Sequence, residues 1–512
     1  MSNDNRCIRV AAVLGLMLAA GAASADTPAP SRAESIRQTL AGIEQRLRDH
    51  GGTWEKWGES LKEYRDDIRP YVTGGGYKWP WPAKDGYVFQ GAAVQLHLRD
   101  ELEDLPEGER PIESIVHFDR QLKALGIDLI VALIPSKLSI YPDYITAAGS
   151  DPPRPARAPH DRQVSVAVTR MMHTLLKQDV EVVDLHEAHR QFRLKHGDEV
   201  PLYYVRDGHF MNRGARLAAE QIAARLKRYD FVQKALAGEN PYVGQKSSRS
   251  DGTKADPDLL LIRDKRTGRF YRDDDASPIV VAGDSHLLYN DGTAHVTGQI
   301  AREIGMAVCR ITREGLAADI PLELARDRLL KQRRVVILLY TERVLAPRAG
   351  RTRWPVVNLP GATTRPAAGG PIRDLPATGV VVEASPPPDR QAPYPHYVMK
   401  FHLRQLADSD GRPIGSGEGV VHVLAMHNRA VLPVARTTTG ERLAMNLTDW
   451  ALVKERYRRV QTGSLPTAQV ELDQPHFWGE VAGQPRLTDG QVGRLGEEDP
   501  PQKQAAPPAT QP

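Results

Sequence analysis

The stretch Ile279-Val280-Val281-Ala282-Gly283-Asp284-Ser285-His286 decides the fold. Residues 279–283 are an apolar run of the length of a strand that is buried on both faces of a sheet. The chain then passes through Gly-Asp-Ser into a predicted helical stretch, as a strand does before a crossover helix in a parallel sheet. Ser285 therefore stands at the carboxyl edge of the sheet, outside which open α/β sheets bind ligands. Unpaired amides at the start of the helical stretch are donors suited to an oxyanion.

From about residue 112 the chain alternates apolar runs of strand length with amphipathic stretches of helical periodicity. This alternation predicts an α/β three-layer sandwich, in which a parallel sheet lies between crossover helices. A further helix is predicted at residues 31–50. The predicted strands are residues 128–134, 180–185, 279–283, 306–311 and 335–339, and the predicted crossover helices are residues 112–125, 162–177, 214–228, 294–304 and 320–331.

The first 25 residues have the layout of a secretory signal peptide. Arg6 and Arg9 precede an uncharged run at residues 10–20, and Ala23-Ser24-Ala25 offers a small-residue cleavage site. The alternative is a retained membrane anchor, but the apolar run is well short of the roughly 20 residues that a spanning helix needs. We therefore expect cleavage after Ala25 and a mature protein in the periplasm that does not itself span a membrane.

The composition disfavours several classes of function. Cleavage would remove Arg6, Arg9 and Asp4, so the net charge would fall from +4 to +3. Such a balance, with both signs interspersed, leaves no footprint of a nucleic-acid-binding protein. Cys309 would remain without a partner for an intramolecular disulfide, and its apolar neighbours favour a packed side chain over a nucleophile. No histidine pair has zinc-binding spacing with Cys or Glu nearby, so neither a metal nor another cofactor is predicted.

Composition and residue pattern predict how the rest of the chain is organised. We expect a catalytic domain at residues 26–348 and, because apolar and polar residues alternate there, a small β-sandwich at residues 350–485. Residues 490–512 are rich in Gln, Pro and acidic side chains and predict a disordered tail. Residues 240–276 are polar and irregular, which predicts an insertion that forms part of a lid. Glycines and prolines at residues 74–82 predict a loop or short hairpins.

A second string, residues 202–215, carries Asp207 and His209 and leads into an amphipathic helix that Asn212 would cap. A serine hydroxyl is a poor nucleophile until an imidazole takes its proton. The imidazole in turn needs a carboxylate that fixes its tautomer and stabilises its charged form. Ser285, His209 and Asp207 supply these three groups, and we predict that they form a catalytic triad at one sheet edge.

Each string alone has a simpler explanation. Gly-Asp-Ser forms an ordinary turn or helix cap in many loops, and Asp207 and His209 would then be a loop pair that hydrogen-bonds only to the local backbone. The presence of both strings on one α/β scaffold favours the triad. His286 ranks below His209, because a neighbour in a strand-to-helix turn usually points away from the serine hydroxyl. Lys137, which would either face substrate or cap the sheet, is left outside the catalytic set.

At these residues the sequence resembles a known family. Gly283-Asp284-Ser285 after a strand is similar to the nucleophile block of SGNH hydrolases, but in those enzymes the serine comes first and the Asp and His come last. The order Asp207, His209, Ser285 resembles the permuted arrangement of alginate O-acetyltransferases of the AlgX and AlgJ type. That family typically shows Asp-Thr-His-Trp, then Gly-Ala and an Ala-rich helix. This chain has Asp207-Gly208-His209-Phe210, then Gly214-Ala215 and Leu217-Ala218-Ala219.

The resemblance covers about residues 80–350 and implies an SGNH hydrolase-like fold. It also implies a periplasmic O-acetyltransferase in which Ser285 carries the acetyl group, His209 moves the proton and Asp207 orients His209. The departures at Gly208 and Phe210 adjoin the predicted triad and concern the shape of the acceptor pocket. Weaker similarities lie at Lys84-Asp85-Gly86-Tyr87-Val88-Phe89, Ile134-Pro135-Ser136-Lys137 with Tyr141-Pro142, and Tyr340-Thr341-Glu342-Arg343-Val344-Leu345.

Partners and binding residues follow from the same resemblance. The acceptor would be an exopolysaccharide, alginate-like or similar, and the acetyl donor would come from a membrane-bound O-acyltransferase partner. Tyr340 and Arg343 end the last predicted strand at the same sheet edge. They are therefore candidates for substrate binding, and the alternatives are a packed tyrosine and a surface arginine.

The C-terminal region has the size of a carbohydrate-binding module in AlgX, and its aromatic residues would then stack on sugar faces. The alternative is that they form the core of the predicted sandwich. Trp79 and Trp81, in the predicted loop, are further candidates for exposed contact. The aromatic candidates of the C-terminal region are Trp450, His476, Phe477 and Trp478.

Two other functions fit the same residues. A polysaccharide acetylesterase would use the same triad with water in place of the sugar. A non-catalytic polysaccharide-binding export scaffold would keep the fold while the geometry of the triad is lost. A large separation between the side chains of Ser285 and His209 would favour the scaffold.

Overall fold

A computed structural model describes residues 29–72, 83–102, 105, 110–158, 163–249, 256–288, 294–312, 318–326, 329–346, 354–359, 371–389, 395–457, 460–485 and 487. The predicted signal peptide, the predicted tail at residues 490–512 and the loop with Trp79 and Trp81 lie outside these ranges.

A five-stranded parallel sheet forms the centre of the N-terminal part. Its strands, numbered in chain order, are β1 (Asp128–Ile134), β2 (Glu181–Val183), β5 (Ile279–Gly283), β6 (Cys309–Thr312) and β7 (Val335–Thr341). They lie in the order β2-β1-β7-β5-β6, and every neighbouring pair is parallel. All five carboxyl ends therefore lie at one edge. The bounds of β1 and β5 agree with the predicted ones, and the other three strands overlap theirs.

Helices cover both faces of the sheet, which gives the three layers that the sequence predicts. The first helix is fixed by a capping box, in which Ser31 and Glu34 satisfy each other's backbone amides. The helices are α1 (Arg32–Asp49), α2 (Trp54–Ser60), α3 (Lys62–Ile68), α4 (Gly91–His97), α5 (Pro111–Ala124), α6 (Lys137–Ile140), α7 (Val166–Lys177), α8 (Leu185–His196), α9 (Asn212–Leu226), α10 (Asp230–Leu236), α11 (Val296–Ile304) and α12 (Ile320–Arg326).

Two apolar cores, one on each face of the sheet, hold these layers together. Val335 and Ile337 of β7 pack in the core that includes α9 and α11, whereas Val336 and Leu338 pack in the core that includes α5 and α7. Neighbouring residues alternate because successive side chains of a strand point to opposite faces. Burial on both faces explains why the strands are continuous apolar runs in the sequence.

Residues 242–264 correct the prediction of an irregular insertion. β3 (Tyr242–Arg249) and β4 (Asp256–Asp264) pair as an antiparallel hairpin. Asn212 fastens this hairpin to α9: its side-chain oxygen accepts the N–H of Leu260 at 2.9 Å, and its backbone N–H donates to Asp256 Oδ2 at 2.8 Å. Asn212 is thus a bridge within the first turn of α9 rather than the predicted cap.

No helix was predicted from the sequence at the position of α8. This helix is rich in charged side chains, so its apolar spacing is weak, and its buried face is formed largely by polar residues. The buried residues of α8 are Leu185, His186, His189 and Arg193.

The C-terminal region is a closed barrel. Its strands are β8 (Leu375–Ala384), β9 (Tyr397–Asp408), β10 (Glu418–His427), β12 (Arg442–Asp449) and β14 (His476–Glu480). Each pairs with two others, in the ring β8-β9-β10-β14-β12-β8. Short strands β11 (Ala430–Val431) and β13 (Gln461–Thr462) flank the ring, and helices α13 (Trp450–Tyr457) and α14 (Ala468–Asp473) lie between β12 and β14.

The mixed α/β class with a β-rich C-terminal region is confirmed. The C-terminal strands form one closed barrel, however, and not the two facing sheets of a sandwich. The parallel pairing of β10 with β14 closes the strands into one ring. Such a pairing joins distant segments, and local alternation of apolar residues is the same in a sandwich and in a barrel.

Two of the four aromatic candidates in the C-terminal region are part of the barrel's interior packing. Phe477 and Trp478 are buried in its core. The Trp478 ring stacks on Tyr457 with ring centroids 3.9 Å apart, and the Trp450 ring stacks on His422 at 4.0 Å. The alternative that these residues form the core therefore holds for Phe477 and Trp478.

The barrel packs against the parallel-sheet part through α12 and α14. Leu322 and Ala325 of α12 form a small buried cluster with Val357, against which Leu472 of α14 packs. Ser464 adds a hydrogen bond to the carboxylate of Asp319. None of the helices in the described ranges combines the length and the apolar character that crossing a bilayer requires.

Gly283 gives a test of the close approach between β5 and β7. A Cβ atom at this position would lie 1.9 Å from the carbonyl oxygen of Leu339, a backbone atom inside the sheet. We expect Gly283→Ala to destabilise the protein by about 1–3 kcal/mol or more, because the strands must move apart. Thermal unfolding measures the loss.

Gly42→Ala is the matched control. Gly42 lies inside α1, and apart from its chain neighbours and the backbone of its own helix no atom lies within 4 Å of a built Cβ. Alanine is favoured over glycine in a helix by about 1 kcal/mol. This variant should unfold at the same or a higher temperature. Equal unfolding temperatures for Gly283→Ala and the unchanged protein would contradict the close approach of β5 to β7.

Candidate active site

Three strand ends and one loop converge at the carboxyl edge of the parallel sheet. β1 leads into Lys137, β5 leads into Ser285, and β7 leads into Arg343. The loop at residues 202–211, between α8 and α9, carries Asp207 and His209. Parallel pairing brings the three strand ends to one edge, although they are far apart in the chain.

The structure brings Asp207, His209 and Ser285 together. Nε2 of His209 lies 2.8 Å from Oγ of Ser285, and Nδ1 of the same ring lies 2.5 Å from Oδ1 of Asp207. An imidazole placed between a carboxylate and a hydroxyl can donate from Nδ1 and accept the hydroxyl proton at Nε2. The arrangement is therefore suited to general-base activation of the serine.

The loop that carries Asp207 and His209 is a narrow hairpin-like segment. Tyr204 N donates to the carbonyl of His209 at 3.2 Å, and Met211 N donates to that of Leu202 at 2.8 Å. Oδ1 of Asp207 also accepts the backbone N–H of His209 at 2.9 Å. One carboxylate thus holds both the backbone and the ring of the same histidine.

Lys137 lies beneath this loop and neither faces open solvent nor caps the sheet. Its Nζ donates to the carbonyl oxygens of Tyr204, Val205 and Asp207 at 2.7, 2.8 and 2.7 Å. The residue is 3% exposed. Burial lowers the pKa of Lys137 to about 7, although the charge of Asp207 opposes that shift.

Asp284, the residue before the serine, anchors the turn after β5. Its Oδ1 accepts the backbone N–H of His286 at 3.0 Å, and its Oδ2 accepts that of Thr341 at 2.9 Å. Thr312 Oγ1 donates to its carbonyl oxygen at 2.7 Å. Burial raises the pKa of Asp284, but His286, the charge of Arg343 and these hydrogen bonds outweigh burial and hold the pKa below its usual range. The turn is therefore tied to both neighbouring strands.

Glu342, the residue after β7, is a fully buried carboxylate that joins three segments. Its Oε1 accepts the N–H of Ser136 at 2.8 Å and the hydroxyl of Ser139, and its Oε2 lies 2.5 Å from Nε2 of His186 in α8. Burial raises the pKa of Glu342, but His186, His97 and these hydrogen bonds lower it to about 2. The carboxylate is therefore ionised at neutral pH and fixes the turn that precedes Lys137.

His209 is held in its neutral form. Burial and the nearby charge of His286 lower the pKa of His209 to about 3, against the opposing effect of Asp207. His286 itself has its Nδ1 3.1 Å from Oδ1 of Asp284 and its ring centroid 4.5 Å from that of His209. His286 therefore faces Asp284 rather than replacing His209 beside the serine, as the sequence predicts.

Tyr340 and Arg343, the two candidates for substrate binding, occupy different environments. Tyr340 is fully buried and packs against Trp354 in the core below the sheet, so the alternative of a packed tyrosine holds for it. Arg343 is partly exposed and approaches the loop with Asp207 and His209. A Cβ built on Gly208 would lie 3.0 Å from Arg343 Nη1 and 2.8 Å from Gln90 Nε2.

Sequence reasoning left out residues that shape this edge. Lys137 and Glu342 both lie within the weaker similarities to the family, and both follow a buried strand closely. A charged residue directly after a buried parallel strand is the signal that would have identified them. Gln90 carries no comparable signal. In the described ranges no group of three or more His, Cys, Asp or Glu side chains is placed to hold a metal ion.

Part of this site lies in a segment that is similar to a known family. Residues 82–256 match the model of the SGNH hydrolase-like domain of acetyltransferase AlgX. This segment is similar to that family. The matched segment contains Asp207 and His209 and ends before Ser285. No curated protein matches the chain.

Solved structures also show similarity to the chain. The O-acetyltransferase domain of Pseudomonas putida AlgJ is 18% identical, with 52% of this chain and 91% of that one covered and a TM-score of 0.37. Pseudomonas aeruginosa AlgX is 15% identical, with 72% and 88% covered and a TM-score of 0.39. Bacillus cereus PatB1 with a sulfonyl adduct is 13% identical, with 52% and 97% covered and a TM-score of 0.31. All three TM-scores are below 0.5, so the similarity to the AlgX family rests on the sequence match.

The lowered pKa of His209 can be measured directly. A histidine whose pKa lies below that of free imidazole keeps its neutral form to lower pH. The ring signals of His209 should therefore not titrate between pH 8 and pH 5 in NMR spectra, with assignment by comparison with His209→Gln. A titration midpoint near 6.5 would mean that the ring is not shielded as described.

Gly208, where the AlgX family typically has threonine, tests the approach of Arg343. In Gly208→Ala the new Cβ would meet the flexible ends of Gln90 and Arg343, which can swing away at little cost in stability. The charge of Arg343 lowers the pKa of His209, so its displacement should raise that pKa. The same NMR titration, continued below pH 5, measures the change.

Gly238→Ala is the control for this substitution. A Cβ on Gly238 would make only an ordinary contact, 3.6 Å from Ala235 O, at the end of α10. The His209 signals of this variant should match those of the unchanged protein. An identical titration in Gly208→Ala would show that Arg343 does not sit against Gly208.

Proposed function

We propose that this protein is an O-acetyltransferase that transfers acetyl groups to hydroxyls of an exopolysaccharide. The observation that supports it most directly is the 2.8 Å contact between His209 Nε2 and Ser285 Oγ, with Asp207 2.5 Å from the other ring nitrogen. The match of the surrounding segment to an acetyltransferase family adds the type of group transferred. The triad is the catalytic centre in this proposal.

The first half-reaction forms an acetyl-enzyme. Ser285 Oγ attacks the carbonyl carbon of an acetyl ester while its proton passes to Nε2 of His209. The bond between the carbonyl carbon and the leaving oxygen then breaks, and the leaving oxygen takes the proton from His209. Asp207 stabilises the transient imidazolium and keeps Nε2 directed at the serine. The backbone amide of Ser285 is one donor to the developing oxyanion.

The second half-reaction transfers the acetyl group to the acceptor. A sugar hydroxyl takes the place of the leaving group and gives its proton to His209. Its oxygen attacks the acetyl carbon, the bond to Ser285 Oγ breaks, and the proton returns from His209 to the serine. Arg343, partly exposed beside Gly208, is the residue that we assign to substrate contact.

The cellular setting belongs to the same proposal. Residues 1–25 would direct export, so that the enzyme meets the polymer in the periplasm. The acceptor would be alginate or a similar exopolysaccharide. The acetyl group would reach the enzyme from a membrane-bound O-acyltransferase, and the C-terminal barrel is the part that we assign to binding the polymer.

Substitution of the serine tests the chemistry. Ser285→Ala should lower acetyl transfer from p-nitrophenyl acetate to an oligosaccharide by at least about 1,000-fold, since removal of the nucleophile of a triad disables the whole unit. Acetylated product is measured by mass spectrometry. Ser60→Ala, which changes an exposed serine at the end of α2, is the control and should keep full activity.

The products separate this proposal from its competitors. Free acetate as the sole product, even at high oligosaccharide concentration, would identify an acetylesterase in place of a transferase. Polysaccharide binding without any turnover in the unchanged protein would identify the non-catalytic scaffold. Transfer that persists in Ser285→Ala would remove the proposed nucleophile.

A further inference from the structure

Lys137 is the most deeply buried cation near the site, and it makes direct contact with the loop that carries Asp207 and His209. Three backbone carbonyls of that loop accept from its ammonium group at 2.7–2.8 Å. We propose that Lys137 is a positioning residue, which holds the Asp207–His209 loop so that the imidazole reaches Ser285. This inference rests on the proposed function only where activity is the readout.

The ammonium group is fully used by the loop. A lysine ammonium has three N–H donors and no acceptor, and here three carbonyl oxygens receive them. Lys137 is 3% exposed and thus has no donor left for a substrate. Its charge-assisted hydrogen bonds are stronger than those between neutral groups. Its role therefore concerns the geometry of the loop rather than contact with the reacting atoms.

The carbonyls that Lys137 binds lie at Asp207 and shortly before it in the loop. One belongs to Asp207 itself, and the others belong to Tyr204 and Val205 on the approach to it. Val205 O also accepts the N–H of Val88 at 3.0 Å. Across the loop, Tyr204 is joined to His209 and Met211 to Leu202. The hydroxyl of Tyr203 donates to Pro135 O at 2.6 Å, which ties the start of the loop to the end of β1. Lys137 attaches the backbone of Asp207 itself.

Lys137 is itself fixed from below. It follows Ser136, whose N–H donates to Glu342 at 2.8 Å and whose hydroxyl accepts the N–H of Ser139 at 3.2 Å. Its stem also runs beside the rings of Tyr87 and Phe89, with Nζ 5.3 and 5.8 Å from their centroids. The position of the ammonium group is thus set by the ends of β1 and β7.

The test compares two buried lysines. Lys137→Met removes the ammonium under the loop, and Lys400→Met removes an equally buried ammonium from its pair with Glu471 in the barrel region. Acetyl-ester turnover gives kcat and KM, and one-dimensional proton NMR gives the low-field signal of the His209 ring N–H that faces Asp207, assigned by its loss in Asp207→Asn. Thermal unfolding reports stability for both variants.

The two lysine variants should behave differently. A misplacement of about 1 Å in a catalytic group can cost about 100-fold in rate, so Lys137→Met should lower kcat by about that factor with KM little changed. The low-field signal should shift or broaden. Lys400→Met should lose stability, because a buried carboxylate is left behind, yet keep kcat and the His209 signal.

Lys137→Gln is a second variant for the case in which Lys137→Met does not fold. Its amide offers two donors without the charge, so kcat should fall less than in Lys137→Met while KM again stays unchanged. An unchanged kcat together with an unchanged His209 signal in either folded variant would overturn the proposal. So would an equal fall of kcat in Lys400→Met, since the effect would then follow from stability alone.

Failure of the proposed function would be recognised separately. A protein without any acetyl-ester turnover, whose low-field His209 signal still changes in Lys137→Met but not in Lys400→Met, would retain the positioning role and lose the enzyme. Full acetyl-ester turnover that does not change in Lys137→Met would retain the enzyme and remove the positioning role.

Discussion

The hydrogen bond between His209 and Ser285 depends on one constraint, the parallel direction of all five strands in the sheet. Because every carboxyl end lies at the same edge, residues that follow β1, β5 and β7 meet there whatever their separation in the chain. Gly283 lets β5 approach β7 so closely that no Cβ would fit beneath Leu339 O. The position of Ser285 is therefore set by backbone pairing within the sheet, whereas the position of His209 must be set by a loop.

Buried charges compensate for the lack of regular structure in that loop. A buried ion is costly unless hydrogen bonds or an opposite charge satisfy it, and the polar groups here are satisfied in a connected series. Glu342 holds the turn at Ser136, the adjacent Lys137 holds the carbonyls around Asp207, and Asp207 holds the ring of His209. Each group in the series forms its hydrogen bonds with the next segment and thereby holds that segment in place. The hydrogen bonds that offset the cost of burying these charges therefore also give the loop a single conformation.

The sequence was sufficient for the parallel sheet, since strands buried on both faces leave unbroken apolar runs such as 279–283 and 128–134. It also singled out Asp207, His209 and Ser285, because few residue types can activate a hydroxyl. It was insufficient for the barrel, whose closure depends on the pairing of β10 with β14, and for the β3–β4 hairpin, whose polar residues resemble a loop. The burial of Tyr340 was within reach: β7 alternates between the two cores, and Tyr340 lies in the same core as Val336 and Leu338.

The environment of His209 has opposite effects on the two protonation states that a general base must adopt, and the loop that carries Asp207 is important for this reason. Burial and His286 keep the imidazole neutral, which makes Nε2 available as an acceptor but disfavours the imidazolium that must form when Ser285 loses its proton. The group that opposes this penalty through a direct hydrogen bond is Asp207, at 2.5 Å, and Coulomb attraction in a buried site depends strongly on distance. A small displacement of Asp207 would therefore weaken the base at the moment when its charge appears. A buried site therefore depends on a rigidly held carboxylate more than an exposed site does. In an exposed site, water would stabilise the imidazolium instead of the carboxylate.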